Sequence, residues 1–243
     1  MFRAVELLPE DHAAVMLFTR HSIREMVNGQ GLAGYDLQLT AEGRDLAFGW
    51  GEYLTQKSGR VIQHCISSPI QRCIDTAQLM VAGAYPIQNE QSPRIEILTQ
   101  PLLVEPGSFV VDIATAAPYF RQQGAVSFIN SFVQNALPGM KHPINGVVDV
   151  LELLYQSHLV QCQEADTNTR HLSLAVSHDT ILAAFIAVIS GHFQVEQKDW
   201  PEMMEGLFLW FDDAPNFANS CVHWIWRGEH FQLKVADLMQ AQN

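Results

Sequence analysis

Three times in this chain an apolar run about as long as one strand stops abruptly at a cluster of cationic, imidazole or carboxylate side chains, where helix-starting residues begin. Residues 15–18 run into Thr19-Arg20-His21-Ser22-Ile23-Arg24, residues 61–66 into Ser67-Ser68-Pro69-Ile70-Gln71-Arg72, and residues 171–176 into Ser177-His178-Asp179-Thr180. Strands that alternate with helices predict an α/β fold: a three-layer α/β/α sandwich around a mostly parallel central sheet. In such sheets ligands sit beyond the carboxyl ends of the strands. The three clusters therefore converge on one place without any special assumption about the fold.

Composition narrows what that place can bind. The 243 residues are 48% hydrophobic, enough for one large domain over 1–243. A net charge of -12 and a pI near 5.1 exclude a nucleic-acid surface or an anionic membrane surface as partner, since both need clustered positive charge. Any anion site must be local. The four cysteines, Cys65, Cys73, Cys162 and Cys221, show no C-x-x-C spacing and read as free thiols in a reducing compartment. Residues 1–14 carry Glu6, Glu10 and Asp11 and do not resemble a secretory signal. The longest apolar run, 181–189, falls short of the roughly 18 residues a membrane span needs. The expectation is a cytoplasmic protein without a membrane anchor.

Along the chain, Ser22 followed by Glu25 predicts a capping box and a helix directly after the first strand. Thr40 is the expected N-cap of a second helix, running to about Gln56 with Leu46, Trp50 and Leu54 on one face. Ser68, Pro69 and Gln71 suit the N-cap, N1 and N3 of the next, which puts Arg72 in its first turn and leans it back toward the strand end. A third strand is expected over 93–100, followed by Glu105 in a loop bounded by Pro101, Pro106 and Gly107. The stretch from about 108 to 166 reads as a helical insertion over the site, broken at Pro138-Gly139 and His142-Pro143. The segment 180–190 is an apolar helix that ends at Gly191. A strand over 206–211 and a hairpin turning at Arg227-Gly228-Glu229 complete the chain, and His64, His192 and His223 read as structural.

Taken singly, an arginine on a capped helix or a His-Asp pair at a helix start is ordinary. Together Arg20, Arg24 and Arg72 offer three planar guanidiniums, which match the equatorial oxygens of a transferring phosphoryl group. His21 offers a nucleophile that is largely neutral near pH 7, and Asp179 or Glu105 a proton donor.

These motifs resemble those of the histidine phosphatase superfamily. Arg20-His21-Ser22-Ile23-Arg24 is similar to its R-H-G-x-R signature, Ser67-Ser68-Pro69-x-x-Arg72 with Thr76-Ala77 to its second arginine motif, and Leu39-Thr40-x-x-Gly43 to its L-T-x-x-G helix start. Ser177-His178-Asp179-Thr180 resembles the late His-Asp motif of the acid phosphatase branch, whereas Glu105-Pro106-Gly107 resembles the acid-bearing segment of the phosphoglycerate mutase-like branch. Ser22 stands where glycine is usual, and Met26 where the acid phosphatases typically have proline. The resemblance implies a phosphomonoesterase that uses no cofactor or metal. His21 becomes a phosphohistidine, Arg20, Arg24, Arg72 and His178 bind phosphate, and Asp179, with Glu105 as rival, is the acid. A small phosphomonoester or a phosphopeptide is the implied substrate, because the insertion has few cationic groups beyond Arg121 and Lys141. The alternatives are a mutase-like phosphotransferase and a decayed phosphate-binding module.

Overall fold

The run 15–18 is buried because it becomes the middle of a sheet. Strand β1 (Val15–Arg20) is buried along its whole length, and its side chains alternate between two cores as strand geometry requires. Met16 and Phe18 enter a core built with the helices on one face, while Val15 and Leu17 enter a second core on the other. The structure, a computed structural model, describes residues 1–10, 14–25, 34–85, 94–104, 107–164 and 169–241.

Helix α1 (Phe2–Val5) precedes β1, and α2 (Ala41–Ser58), β2 (Val61–Ser67), α3 (Gln71–Ala84) and β3 (Ile97–Thr99) follow it. Helices α4 (Ile113–Gln123), α5 (Ala125–Val133) and α6 (Pro143–Glu164) come next, then β4 (His171–Ser177) and α7 (Asp179–Ile189). The chain closes with β5 (Gly206–Phe211), β6 (Cys221–Trp226), β7 (Glu229–Lys234) and α8 (Val235–Gln240). The seven strands form one sheet in the order β3-β2-β4-β1-β5-β6-β7. The first four run parallel, and β5, β6 and β7 each pair antiparallel with their neighbours. The expected three-layer α/β sandwich is what forms, with its parallel character in the half that carries the polar clusters.

One layer is α2 and α3, which pack with unusually little separation. A Cβ on Gly51 would lie 1.9 Å from the Met80 carbonyl oxygen, and one on Gly83 1.9 Å from that of Phe48. Leu46, expected on the inner face of α2, is instead exposed, because the buried stripe is Gly43, Ala47, Trp50, Gly51 and Leu54. Thr40 caps α2 as expected, its hydroxyl accepting from the Gly43 N–H. The opposite layer is α5, α6 and α7. Within the stretch expected as an insertion over the site, Val147, Val150, Leu151 and Leu154 of α6 are fully buried in the core of that layer, so α6 belongs to the sandwich itself. Among the described residues no strand forms between β3 and β4, and no helix is long and apolar enough to cross a membrane.

Two expected helix starts are corrected. No helix forms over residues 21–25, where Arg24 makes an isolated bridge with Leu39. Helix α3 begins at Gln71 with Ile70 as its N-cap and no side-chain cap, not at Ser68. In both places the serine hydroxyl is drawn into a longer-range bond, described below. Strand β3 covers only Ile97–Thr99 of the expected 93–100, and residue 93 lies outside the described residues.

Candidate active site

The carboxyl ends of β1, β2 and β4 lie side by side, and each delivers its polar cluster to the same place. His21, one residue past β1, is tied to β4 by its backbone N–H, which donates to the Ser177 carbonyl at 3.0 Å. The imidazole is 2% exposed. Its Nδ1 lies 2.7 Å from the Ser22 carbonyl, a contact that only a protonated Nδ1 can satisfy, so the lone pair is on Nε2. Arg72 Nε donates to that Nε2 at 3.1 Å. Ser22, where the signature has glycine, turns its hydroxyl away from the ring and donates to the Gly43 carbonyl at 2.7 Å. The backbone N–H of Ser22 donates to Thr76 Oγ1, whose hydroxyl donates in turn to the Arg72 carbonyl. One turn of α3 thereby sets the height of both His21 and Arg72.

His178 caps the start of α7 and is fully buried. Arg72 Nη2 lies 3.4 Å from its Nδ1, and Ser68 Oγ lies 3.0 Å from its Nε2. The two imidazoles are 5.6 Å apart, centre to centre, and nearly perpendicular. The third Arg72 nitrogen, Nη1, donates to the Gly34 carbonyl at 3.0 Å. Arg20, the last residue of β1, pairs with the Asp179 carboxylate at 2.6 Å and donates to the Pro201 carbonyl at 2.7 Å. Its Nε is a buried donor with no partner among the described residues. Asp179 also accepts from the Thr180 N–H at 2.9 Å and from the Trp200 indole at 3.3 Å.

The field is positive and the imidazoles are neutral. Burial, then His178, hold the His21 ring well below the usual histidine range; the Ser22 carbonyl opposes them, and Arg72 and Arg20 add to the lowering. Burial, then Arg72, Arg20 and Arg24, lower His178 to about 3. The structure therefore brings Arg20, His21, Arg72, His178 and Asp179 together. Arg24 is half-buried and donates to the Glu25 carbonyl, reaching His178 through its charge. Glu105 lies outside the described residues. Trp200 and Pro201 are site members that the motifs did not announce, and Ser68, which lies in the second arginine motif and has the spacing of a cap, instead bonds His178.

Comparison with known proteins gives the same picture. The model of the histidine phosphatase superfamily (branch 1) matches residues 16–96, the part that supplies both His21 and Arg72. The Ser177–Thr180 motif lies beyond that match, so the likeness to the acid phosphatase branch rests on that motif alone. No curated protein matches the chain by sequence. Among solved structures, a mycobacterial hydrolase aligns at 18% identity with a TM-score of 0.59, covering 88% of this chain and 98% of its own. The mycobacterial glucosyl-3-phosphoglycerate phosphatase aligns at 16% and 0.52, covering 88% and 99%. A phosphoglycerate mutase from Bacillus anthracis aligns at 14% and 0.52, covering 93% and 94%. At such identities these structures share the fold. The family model matched across the first two motifs, and the fold shared with these structures, make the chain similar to the histidine phosphatase superfamily.

Proposed function

We propose that the protein is a phosphomonoesterase that works through a phosphohistidine on His21. The observation that carries this reading is the Arg72–His21 hydrogen bond, which holds a buried, neutral imidazole with its Nε2 lone pair facing a cluster of guanidiniums. A bound phosphoryl group takes over the Arg72 donor through a nonbridging oxygen, and this frees Nε2 to attack phosphorus in line as the ester P–O bond breaks. Arg20, through its unpartnered Nε, and His178 hold the other oxygens, with Arg24 adding charge from the rim. The leaving oxygen takes a proton from Asp179 or Glu105. Water, giving a proton to that carboxylate, then attacks the phosphorus of the phosphohistidine, and the P–N bond breaks to release phosphate and the free imidazole. To donate, Asp179 must loosen its 2.6 Å pairing with Arg20, a movement that anion binding at Arg20 favours. The guanidiniums supply the positive field that a metal ion supplies in other phosphoryl-transfer sites.

A mutase-like phosphotransferase is the second reading, favoured by the match to the branch 1 model. Incubation with a panel of small phosphomonoesters from pH 4 to 8, scored for free phosphate against isomerised ester, separates the two. Release of phosphate by the parent protein and its loss in His21→Ala is the expected result. Full activity in His21→Ala overturns the reading.

A further inference from the structure

At the other end of the sheet from His21, strands β5 and β6 bring together a thiol, an imidazole and a carboxylate. Because β5 runs antiparallel to β1, with Gly206 opposite Thr19 and Leu209 opposite Met16, its carboxyl end points away from the phosphate cluster. Asp212 follows that end, and its backbone N–H donates to the Cys221 carbonyl at 3.0 Å. Cys221 and His223 are two apart in β6 and so project from the same face of the sheet. Their ligand atoms and an Asp212 carboxylate oxygen all lie within 4.8 Å of one another, and the His223 Nε2 to Asp212 Oδ1 distance is 2.9 Å. The His223 ring lies near-parallel to two others, Trp210 at 5.4 Å and His230 at 5.5 Å, which are themselves 5.3 Å apart.

We infer that Asp212, Cys221 and His223 form a binding site for a divalent transition-metal ion of the zinc type. A thiolate, an imidazole and a carboxylate are the donor classes that zinc accepts, and tetrahedral bonds of about 2.0–2.3 Å place such donors roughly 3.3–3.8 Å apart, so the thiol must approach while the 2.9 Å His223–Asp212 pair opens slightly. Small side-chain rotations at the exposed Asp212 and half-buried Cys221 make both changes. Burial, and after it Asp212, push the Cys221 thiol up, and the same negative neighbour that disfavours a thiolate alone favours a cation beside it. Binding forms an S–metal bond and releases the Cys221 proton to solvent, so affinity rises with pH. Among the described residues no fourth ligand joins the cluster, which leaves a position for water or for a donor from a partner. Lys234, opposite Cys221 in β7, is the cation the metal must move aside.

The test is a titration of the full chain with cobalt(II), followed by zinc, under reducing conditions. One cobalt per chain with a thiolate-to-cobalt absorption band, displaced by zinc, is expected. Cys221→Ser should remove the band, and Asp212→Asn, at an exposed position, should weaken binding by roughly tenfold or more. The absence of the band, its survival in Cys221→Ser, or unchanged affinity in Asp212→Asn each overturns the site. Phosphatase activity plays no part in these readouts.

Discussion

His21 and His178 occupy equivalent places, each immediately beyond the end of a parallel strand, yet the two rings are wired differently. His21 donates its Nδ1 proton to the adjacent backbone carbonyl and presents its Nε2 to the Arg72 guanidinium. His178 has side chains on both nitrogens, Ser68 on one side and Arg72 on the other. A nucleophile needs a lone pair that the substrate can uncover, whereas a binding group needs its hydrogen bonds directed in advance. Under the proposed function, the difference suits the first ring to attack and the second to oxyanion binding.

The largest effect that could break this contrast is at His21. His21→Ala should abolish turnover and leave no acid-labile phosphoenzyme in rapid-quench experiments, while His178→Ala should still trap one at a slower rate. A trapped phosphoryl group in His21→Ala would reverse the roles. Arg72→Ala, which strips a donor from both rings, should lower kcat by roughly a hundredfold or more, in line with loss of one transition-state donor at about 3 kcal/mol. A change of only a few-fold would mean that Arg72 does not follow the reacting oxygen. Ser68→Ala removes one hydrogen bond from His178 alone and, at about 1 kcal/mol, should cost roughly fivefold in kcat/KM with His21 phosphorylation intact. An equal effect on the phosphoenzyme yield would show that Ser68 also orders His21.

The last effect is on stability. Both rings are held neutral in the fold, His178 with a value lowered to about 3. In the unfolded chain they take up protons below about pH 6.5. The unfolded state then binds more protons, so stability is complete above that pH and declines as pH falls through it toward about 3. Urea midpoints measured between pH 7.5 and 4.5 should fall, and His178→Asn should flatten part of that slope. A slope unchanged by the variant would show that the His178 ring is not kept neutral by its surroundings.

Much of this was legible from local chemistry. The junctions at 20, 72 and 178 are visible as polar clusters after apolar runs, and Thr40 caps α2 because nothing else competes for its hydroxyl as strongly as the Gly43 N–H. The hairpin turn was equally plain, with Arg227 at φ 49 and Gly228 at φ 83 as its central residues. The misreadings share one cause. Ser22 and Ser68 both look like helix caps, but the Ser22 hydroxyl goes to Gly43 and that of Ser68 reaches His178, each bond closing across distant chain. A capping signal is a statement about unsatisfied amides nearby, and a functional site can offer the hydroxyl a better partner. Leu46 lost the inner face of α2 for a related reason, since glycine contacts with α3 set that helix's rotation. Trp200 and Pro201 left no trace in periodicity because only the fold brings them to Asp179 and Arg20.

Their arrival follows from the change of strand direction at β1. A parallel neighbour sends the segment that follows it to the reaction side; β5, reversed, sends the segment that precedes it, and so residues 200 and 201 face the acid. The linker between α7 and β5 is thus tied to the cluster only at its end, where the Pro201 carbonyl holds Arg20 and the Trp200 indole holds Asp179, and its earlier residues can vary while those two bonds stay. If the cluster is the phosphatase site proposed above, variation in that linker is where the leaving group would be selected.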